Sequence, residues 1–259
     1  MSGSDGTAPL YDTIGRTYAA ARVPDRRIAA RIDAALGDAR TVVNIGAGTG
    51  SYEPRDRRVV ALDPSPVMLA QRTTDAPPSV CGIAEALPFP DRAFDAALAT
   101  LTLHHWTDLT RGIAELRRVA PTIVVFTFDT VFELDAWIVR EYLPEMTGQQ
   151  LFDFPAIEDL AAMLDARVVP VPIPRDCTDG FTGAYWARPE GYLDPAIRAG
   201  MSAMQTMDQE LVAARMERLA ADLASGAWDQ RHGHLRTLPE LDLGYRLLIG
   251  PRSHALWRH

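Results

Sequence analysis

The apolar positions of this chain follow two periods. From 25 to 36, Ile28, Ile32, Ala35 and Leu36 recur at helical spacing. Short apolar runs then stand at 41–46, 58–62, near 79–83, at 95–101 and at 122–128, each bounded by turn residues, and they read as strands. Pro64-Ser65 opens a short helix carrying Met68 and Leu69, and a second helix near 108–119 separates the last two strands. Residues 1–9 read as a loose tail and 10–22 as a helical lead-in. Alternation of this kind predicts a parallel, doubly wound sheet, whose ligands sit beyond the carboxyl ends of its strands. The second half is less regular. It carries an amphipathic helix at 155–165, a strand at 167–173 and a last strand at 244–249, with about 70 residues between those strands. Met201, Met204, Met207 and Leu211 fall on one side of a helical stretch in that gap, which fits helix packing or the lining of an apolar pocket.

Candidate chemistry collects at the strand ends. Residues 44–50 read N-I-G-A-G-T-G. Glycines in a strand-to-helix turn let backbone N–H groups approach a ligand closely. Asp63, ending the next strand, is placed to accept the hydroxyls of a ribose. From Gly50 to Asp63 is only 13 residues, so the helix after the glycine loop has room for a turn or two. The pocket is therefore one for a nucleoside-bearing cofactor, and two cofactors compete. A dinucleotide fingerprint needs Gly or Ala at position 51, where this chain has Ser51.

Composition narrows the classes. With 259 residues, 47% of them hydrophobic, the chain can build a full core, and no apolar run approaches a membrane span. The start, M-S-G-S-D-G-T-A-P, has no signal-peptide pattern, which predicts a cytoplasmic protein. Cys81 and Cys177 offer no metal-ligand spacing and read as free thiols, and no metal is expected. The net charge of −8 with no arginine-rich helix face argues against a nucleic-acid partner. All basic side chains besides histidine are arginine; with no lysine, Schiff-base and P-loop lysine chemistry are excluded.

The segment A-E-A-L-P-F-P-D-R-A-F-D at 84–95, then A-A-L-A-T-L-T-L-H-H-W at 96–106 and E-L-R-R-V-A-P at 115–121, resembles class I S-adenosylmethionine-dependent methyltransferases, in the branch acting on small molecules. The resemblance covers roughly residues 11–128. It implies an α/β fold: a Rossmann-like, doubly wound, mostly parallel sheet with an antiparallel final strand and an inserted cap region. The expected layout is 1–38 lid helices, 39–173 cofactor-binding core, 174–241 inserted substrate cap, and 242–259 final strand and tail. The cofactor would be S-adenosyl-L-methionine. Gly46, Gly48 and the backbone around them would face its methionine part, with Gly50 also among the cofactor-binding residues. Asp63 would hold its ribose, and Met68, Ala84 and Glu85 would meet its adenine. Where the family often has Asp before that alanine, this chain has Ile83. Tyr11, Tyr18 and Arg22 match a lid that closes over the cofactor carboxylate, Arg22 pairing with it bidentately.

Methyl transfer from a sulfonium depends on positioning and on removal of a proton from the acceptor. His104 and His105 follow the fourth strand, and neighbours on an extended chain point opposite ways, so at most one should face the acceptor. His105 is the candidate base; Asp129 is a weaker one, better suited to capping. The expected activity is methyl transfer to a small, partly apolar metabolite, with the oligomeric state open. The alternatives are a protein that binds S-adenosylmethionine or a cyclase that uses it without transfer, and an NAD-dependent oxidoreductase.

Overall fold

A computed structural model describes residues 22–131, 136–147 and 154–251. The lead-in residues Tyr11 and Tyr18 lie outside that set. Helix α1 (Arg26–Leu36) begins at Asp25, whose side chain accepts the Arg27 N–H. It is followed by β1 (Thr41–Ile45), β2 (Arg58–Asp63), α2 (Pro66–Ala70), β3 (Ser79–Cys81), β4 (Ala96–Thr100), α3 (Leu109–Val119) and β5 (Thr122–Phe128). Then come α4 (Ile157–Met163), β6 (Arg167–Pro170) and β7 (Ile173–Pro174). Short helices α5 (Pro195–Arg198) and α6 (Ser202–Gln205) lead to the long α7 (Gln209–Ser225), α8 (Ala227–His232), β8 (Glu240–Leu241) and β9 (Tyr245–Gly250).

Seven strands form one sheet in the order β3-β2-β1-β4-β5-β9-β6. The strands β1 to β5 are mutually parallel where they pair, and β9 runs antiparallel to both β5 and β6. The order reverses at β1, so its carboxyl end and that of β4 open a crevice there.

Alternation along the central strands assigns the two faces. Val43, Ile45, Ala97, Ala99, Ile123 and Val125 pack with Ile113, Leu116 and Val119 of α3 and with Ile157 and Leu160 of α4. Their neighbours Val42, Ala96, Leu98, Val124 and Phe126 face the other way, against Ile28, Ile32 and Leu36 of α1. The same cluster continues into the segment after β6, taking in Trp186, Tyr192, Met201, Met204, Leu219 and Trp228. Residues 171–244 leave the sheet through a small antiparallel ribbon, β7 with β8, and return to β9.

Two local expectations change. No helix follows the glycine loop: residues 46–57 form turns only, with Gly46, Gly48, Gly50 and Tyr52 all at positive φ. A run of left-handed residues cannot propagate a right-handed helix. Tyr52 fills the face such a helix would cover, buried at 4% exposure and edge-on to Phe126. The methionine row is also broken, because α6 ends at Gln205 and Asp208 caps the start of α7 through its carboxylate. Met201 and Met204 are buried in the shared core, which is the packing role.

Candidate active site

The glycine loop is built by what surrounds it. Gly46 sits at φ +67, and a Cβ there would fall 2.0 Å from Thr102 Oγ1; Gly48 sits at φ +50, where a Cβ would meet Met68 Cε at 3.2 Å. Bare backbone at these two positions leaves a cradle at the end of β1. Asp63, at the end of β2, closes it from the side: its Oδ2 accepts the Gly48 N–H at 2.7 Å and its Oδ1 the Ser65 N–H at 2.9 Å. Ser65 in turn caps α2, accepting from Met68 N–H, and so delivers Met68 to the cradle.

The cleft that results has a volume of about 580 Å3 counting its open mouth. Of the residues singled out from sequence, it is lined by Arg22, Gly46, Gly48, Asp63, Met68 and His105. Asn44, Ala47, Thr49, Ser51, Thr100, Leu101 and Thr102 complete it. Their sequence signal is position: each stands at or just past the carboxyl end of β1 or β4.

Three candidates are placed elsewhere. Gly50 lies over a buried ion pair, with its would-be Cβ 3.1 Å from Glu53 Oε2 and 3.3 Å from Arg72 Nη1. Ala84 packs into the core beside Leu87. Glu85 is buried, and its Oε1 accepts the N–H groups of Thr107 and Asp108 at 2.7 and 3.1 Å, holding the turn before α3 rather than lining the cleft. Beside them Ile83 is about half exposed. Arg22, expected to pair with a ligand carboxylate, has a partner within the chain: Asp179, bound through Nε at 2.6 Å and Nη2 at 3.1 Å. Asp179 is fully buried and also accepts from the Tyr52 hydroxyl at 2.8 Å. Asp129 accepts the Val131 N–H, a capping bond.

The histidine pair is not extended. Leu103–His105 form a 3-10 turn closed by His105 N–H to Thr102 O at 2.9 Å, and the two rings lie 3.8 Å apart. Only His105 lines the cleft; His104 turns to Phe128 and Phe154. Burial lowers the His105 imidazole to about 4, and burial together with the adjacent His105 holds His104 well below its ordinary value. Both rings are therefore neutral at pH 7.

The cleft can be tested for fit to a nucleoside cofactor bearing an amino-acid tail. Among the described residues, Asn44 Oδ1 and Thr100 Oγ1 are buried without a hydrogen-bond partner. Buried polar atoms of this kind are costly unless a ligand or water satisfies them. With the cradle at Gly46 and Gly48 and the carboxylate of Asp63, the wall offers acceptors for hydroxyl and ammonium donors. The fit is good.

Comparison with known proteins agrees. A family model for the methyltransferase domain matches residues 43–122. Demethylmenaquinone methyltransferase of Thermobifida fusca is 32% identical over 205 residues, covering 71% of this chain and 84% of that protein. Malonyl-[acyl-carrier protein] O-methyltransferase of Halorhodospira halophila is 32% identical over 150 residues, but the match spans only half of its length and 51% of this chain. A solved structure from Anabaena variabilis, described as a methyltransferase from an antibiotic biosynthesis pathway, superposes with a TM-score of 0.83 at 32% identity, covering 88% of this chain and 98% of that one. With the glycine cradle, the acidic residue ending β2 and the antiparallel β9 all in place, the chain belongs to the class I S-adenosylmethionine-dependent methyltransferases.

Proposed function

We propose that this enzyme methylates a small, partly apolar metabolite and that His105 takes up the proton the acceptor loses. The observation that carries the reading is the position of His105 in the same cleft as Gly46, Gly48, Asp63 and Met68. Its imidazole is neutral at pH 7 and so can accept a proton, while the burial that lowers its pKa to about 4 also weakens it as a base. When bound, S-adenosylmethionine supplies the electrophilic methyl group. Everything else is the chain's work: Asp63 holds the ribose hydroxyls, the Gly46–Gly48 backbone and Asn44 the amino-acid tail, and Met68 the flank of the adenine. Glu85 and Ala84 act from behind, by fixing the wall. Arg22, held by Asp179, supplies positive charge at the edge of the cleft. The buried insertion over the α1 face excludes water from that side.

The acidic net charge of −8 suits a small acceptor better than a polyanion, and a cytoplasmic place of action fits the same reading. Relatives named for demethylmenaquinone and for malonyl-[acyl-carrier protein] point to organic acceptors of modest size.

The experiment has two arms. Thermal unfolding with S-adenosylhomocysteine, S-adenosylmethionine and NADH should show stabilisation by the first two alone. A screen of metabolites with labelled methyl donor should then yield a methylated product and S-adenosylhomocysteine in equal amounts. His105→Gln should keep cofactor binding and lose transfer by about a hundredfold or more. Undiminished transfer in that variant would move the base elsewhere. Turnover of an acceptor without S-adenosylhomocysteine would favour a cyclase that keeps its methyl group.

A further inference from the structure

The connection from β1 to β2 lacks the helix that would stiffen the glycine loop, yet the loop is held. Beneath it lies an ion pair whose members are 19 residues apart: Arg72 Nη2 to Glu53 Oε2 at 2.7 Å, with side chains only 4% and 7% exposed. Arg72 follows α2, and Glu53 stands in the turn after the loop. Each side chain reaches the cleft wall. Arg72 Nη1 donates to the Gly48 carbonyl at 3.3 Å, while the N–H of the same residue, on the preceding peptide, binds Asp63. Glu53 Oε1 accepts from Asn44 Nδ2 at 3.0 Å. Because a carboxylate only accepts, this bond fixes which way the Asn44 amide faces, leaving its carbonyl as the atom without a partner among the described residues. Gly50 crosses directly over the pair, and a side chain there would press on both members. Neither Glu53 nor Arg72 is among the residues lining the cleft.

We propose that the buried Glu53–Arg72 pair is a positioning device for the cofactor, standing in for the missing helix by setting the Gly48 peptide and the Asn44 amide without touching the cofactor itself. It also explains the third glycine of the motif, which serves the ion pair and not the ligand. A buried ion pair contributes little net stability compared with apolar residues of the same size, but removal of one partner leaves a costly charge. Stability and positioning can therefore be separated.

The inference rests on S-adenosylmethionine being the cofactor, and wild-type binding of S-adenosylhomocysteine, measured by calorimetry, tests that premise first. Two variants then test the pair. Glu53→Gln with Arg72→Met removes both charges and should fold with near wild-type stability while binding S-adenosylhomocysteine at least tenfold more weakly. Arg72→Lys keeps the charge opposite Glu53 but lacks the fork that reaches the Gly48 carbonyl as well. It should fold and bind severalfold more weakly. If the wild type binds and Arg72→Lys binds equally well, or the double variant folds and binds within threefold of wild type, the pair is only a structural contact and the proposal fails. A double variant that does not fold also overturns it, because the pair is then needed for the fold itself.

Discussion

Gly46 shows how one position can fix the cleft. Its φ of +67 and the 2.0 Å approach to Thr102 Oγ1 leave no room for a side chain. Gly46→Ala should lower stability by about 2–4 kcal/mol, combining left-handed strain with overpacking, and should abolish the shift caused by S-adenosylhomocysteine. Denaturant unfolding with and without the ligand reads both. Asp63→Asn keeps size and loses charge; the amide can present only one oxygen where the carboxylate accepts from both Gly48 and Ser65. Ligand affinity should fall at least tenfold, and calorimetry showing less than a threefold loss would remove Asp63 from the cofactor site.

His105 gives the molecule a pH signature. Unfolded, its imidazole takes up a proton near the ordinary 6.5; folded, it stays neutral down to about 4. The unfolded state therefore binds more protons in that window, so stability is full above 6.5 and is lost as the pH falls towards 4. The loss from this residue is about 3 kcal/mol. Denaturant midpoints measured from pH 7 to 4.5 should fall less steeply in His105→Gln than in the wild type. Parallel curves would mean that the ring protonates in place.

At the scale of elements, the sequence segment most diagnostic of the family proves to be a staple. Arg118 of α3 donates to the carbonyls of Phe89 at 2.7 Å and Leu87 at 3.0 Å, while Glu115 accepts the Leu87 N–H at 2.8 Å and pairs with Arg118 at 2.7 Å. The loop before β4 is thereby tied to the helix after it. Arg118→Ala should cost about 1–3 kcal/mol and speed hydrogen exchange across 86–92. Unchanged exchange there would mean that the loop is held by its own packing, for instance the edge-on Phe89–Phe94 contact at 5.1 Å. Helix α1 behaves as its pattern predicts, because Ile28, Ile32 and Leu36 are all buried, each contributing about 1.5–3 kcal/mol. The glycine loop does not, because what holds it comes from residues 53 and 72, on either side of a strand.

For the whole molecule, the sheet, the segment 136–147 and the insertion share one core, and the segment is tied to the insertion residue by residue. Trp137 donates its indole N–H to the Trp186 carbonyl at 2.9 Å and lies 5.2 Å from the Trp228 ring. Tyr142 donates to Asp222 at 2.6 Å, and Arg231 binds Asp222, Tyr142 and Glu141. Arg215 pairs with Glu145 in the same region. With so much apolar surface held in common, the insertion should not melt alone. Tryptophan fluorescence reports mainly on that junction and far-UV ellipticity on the whole; the two should give coincident transitions. An earlier fluorescence transition would make the insertion an independent unit. Among the described residues no helix is long and apolar enough to cross a membrane.

The sequence by itself determined the order of the seven sheet strands and of the helices α1 to α4, the doubly wound sheet, and the place of the cleft at Gly46, Gly48, Asp63 and His105, because these follow from short-range periodicity and from residues at strand ends. Tertiary structure alone decided the rest. It paired Arg22 with Asp179, 157 residues away, turned Glu85 towards the α3 turn, replaced an expected helix with the Glu53–Arg72 pair, and curled His104 and His105 into one turn. The first three depend on which group far along the chain meets a buried charge and the last on a turn closed at Thr102, and no local pattern of hydrophobic and polar residues encodes those choices.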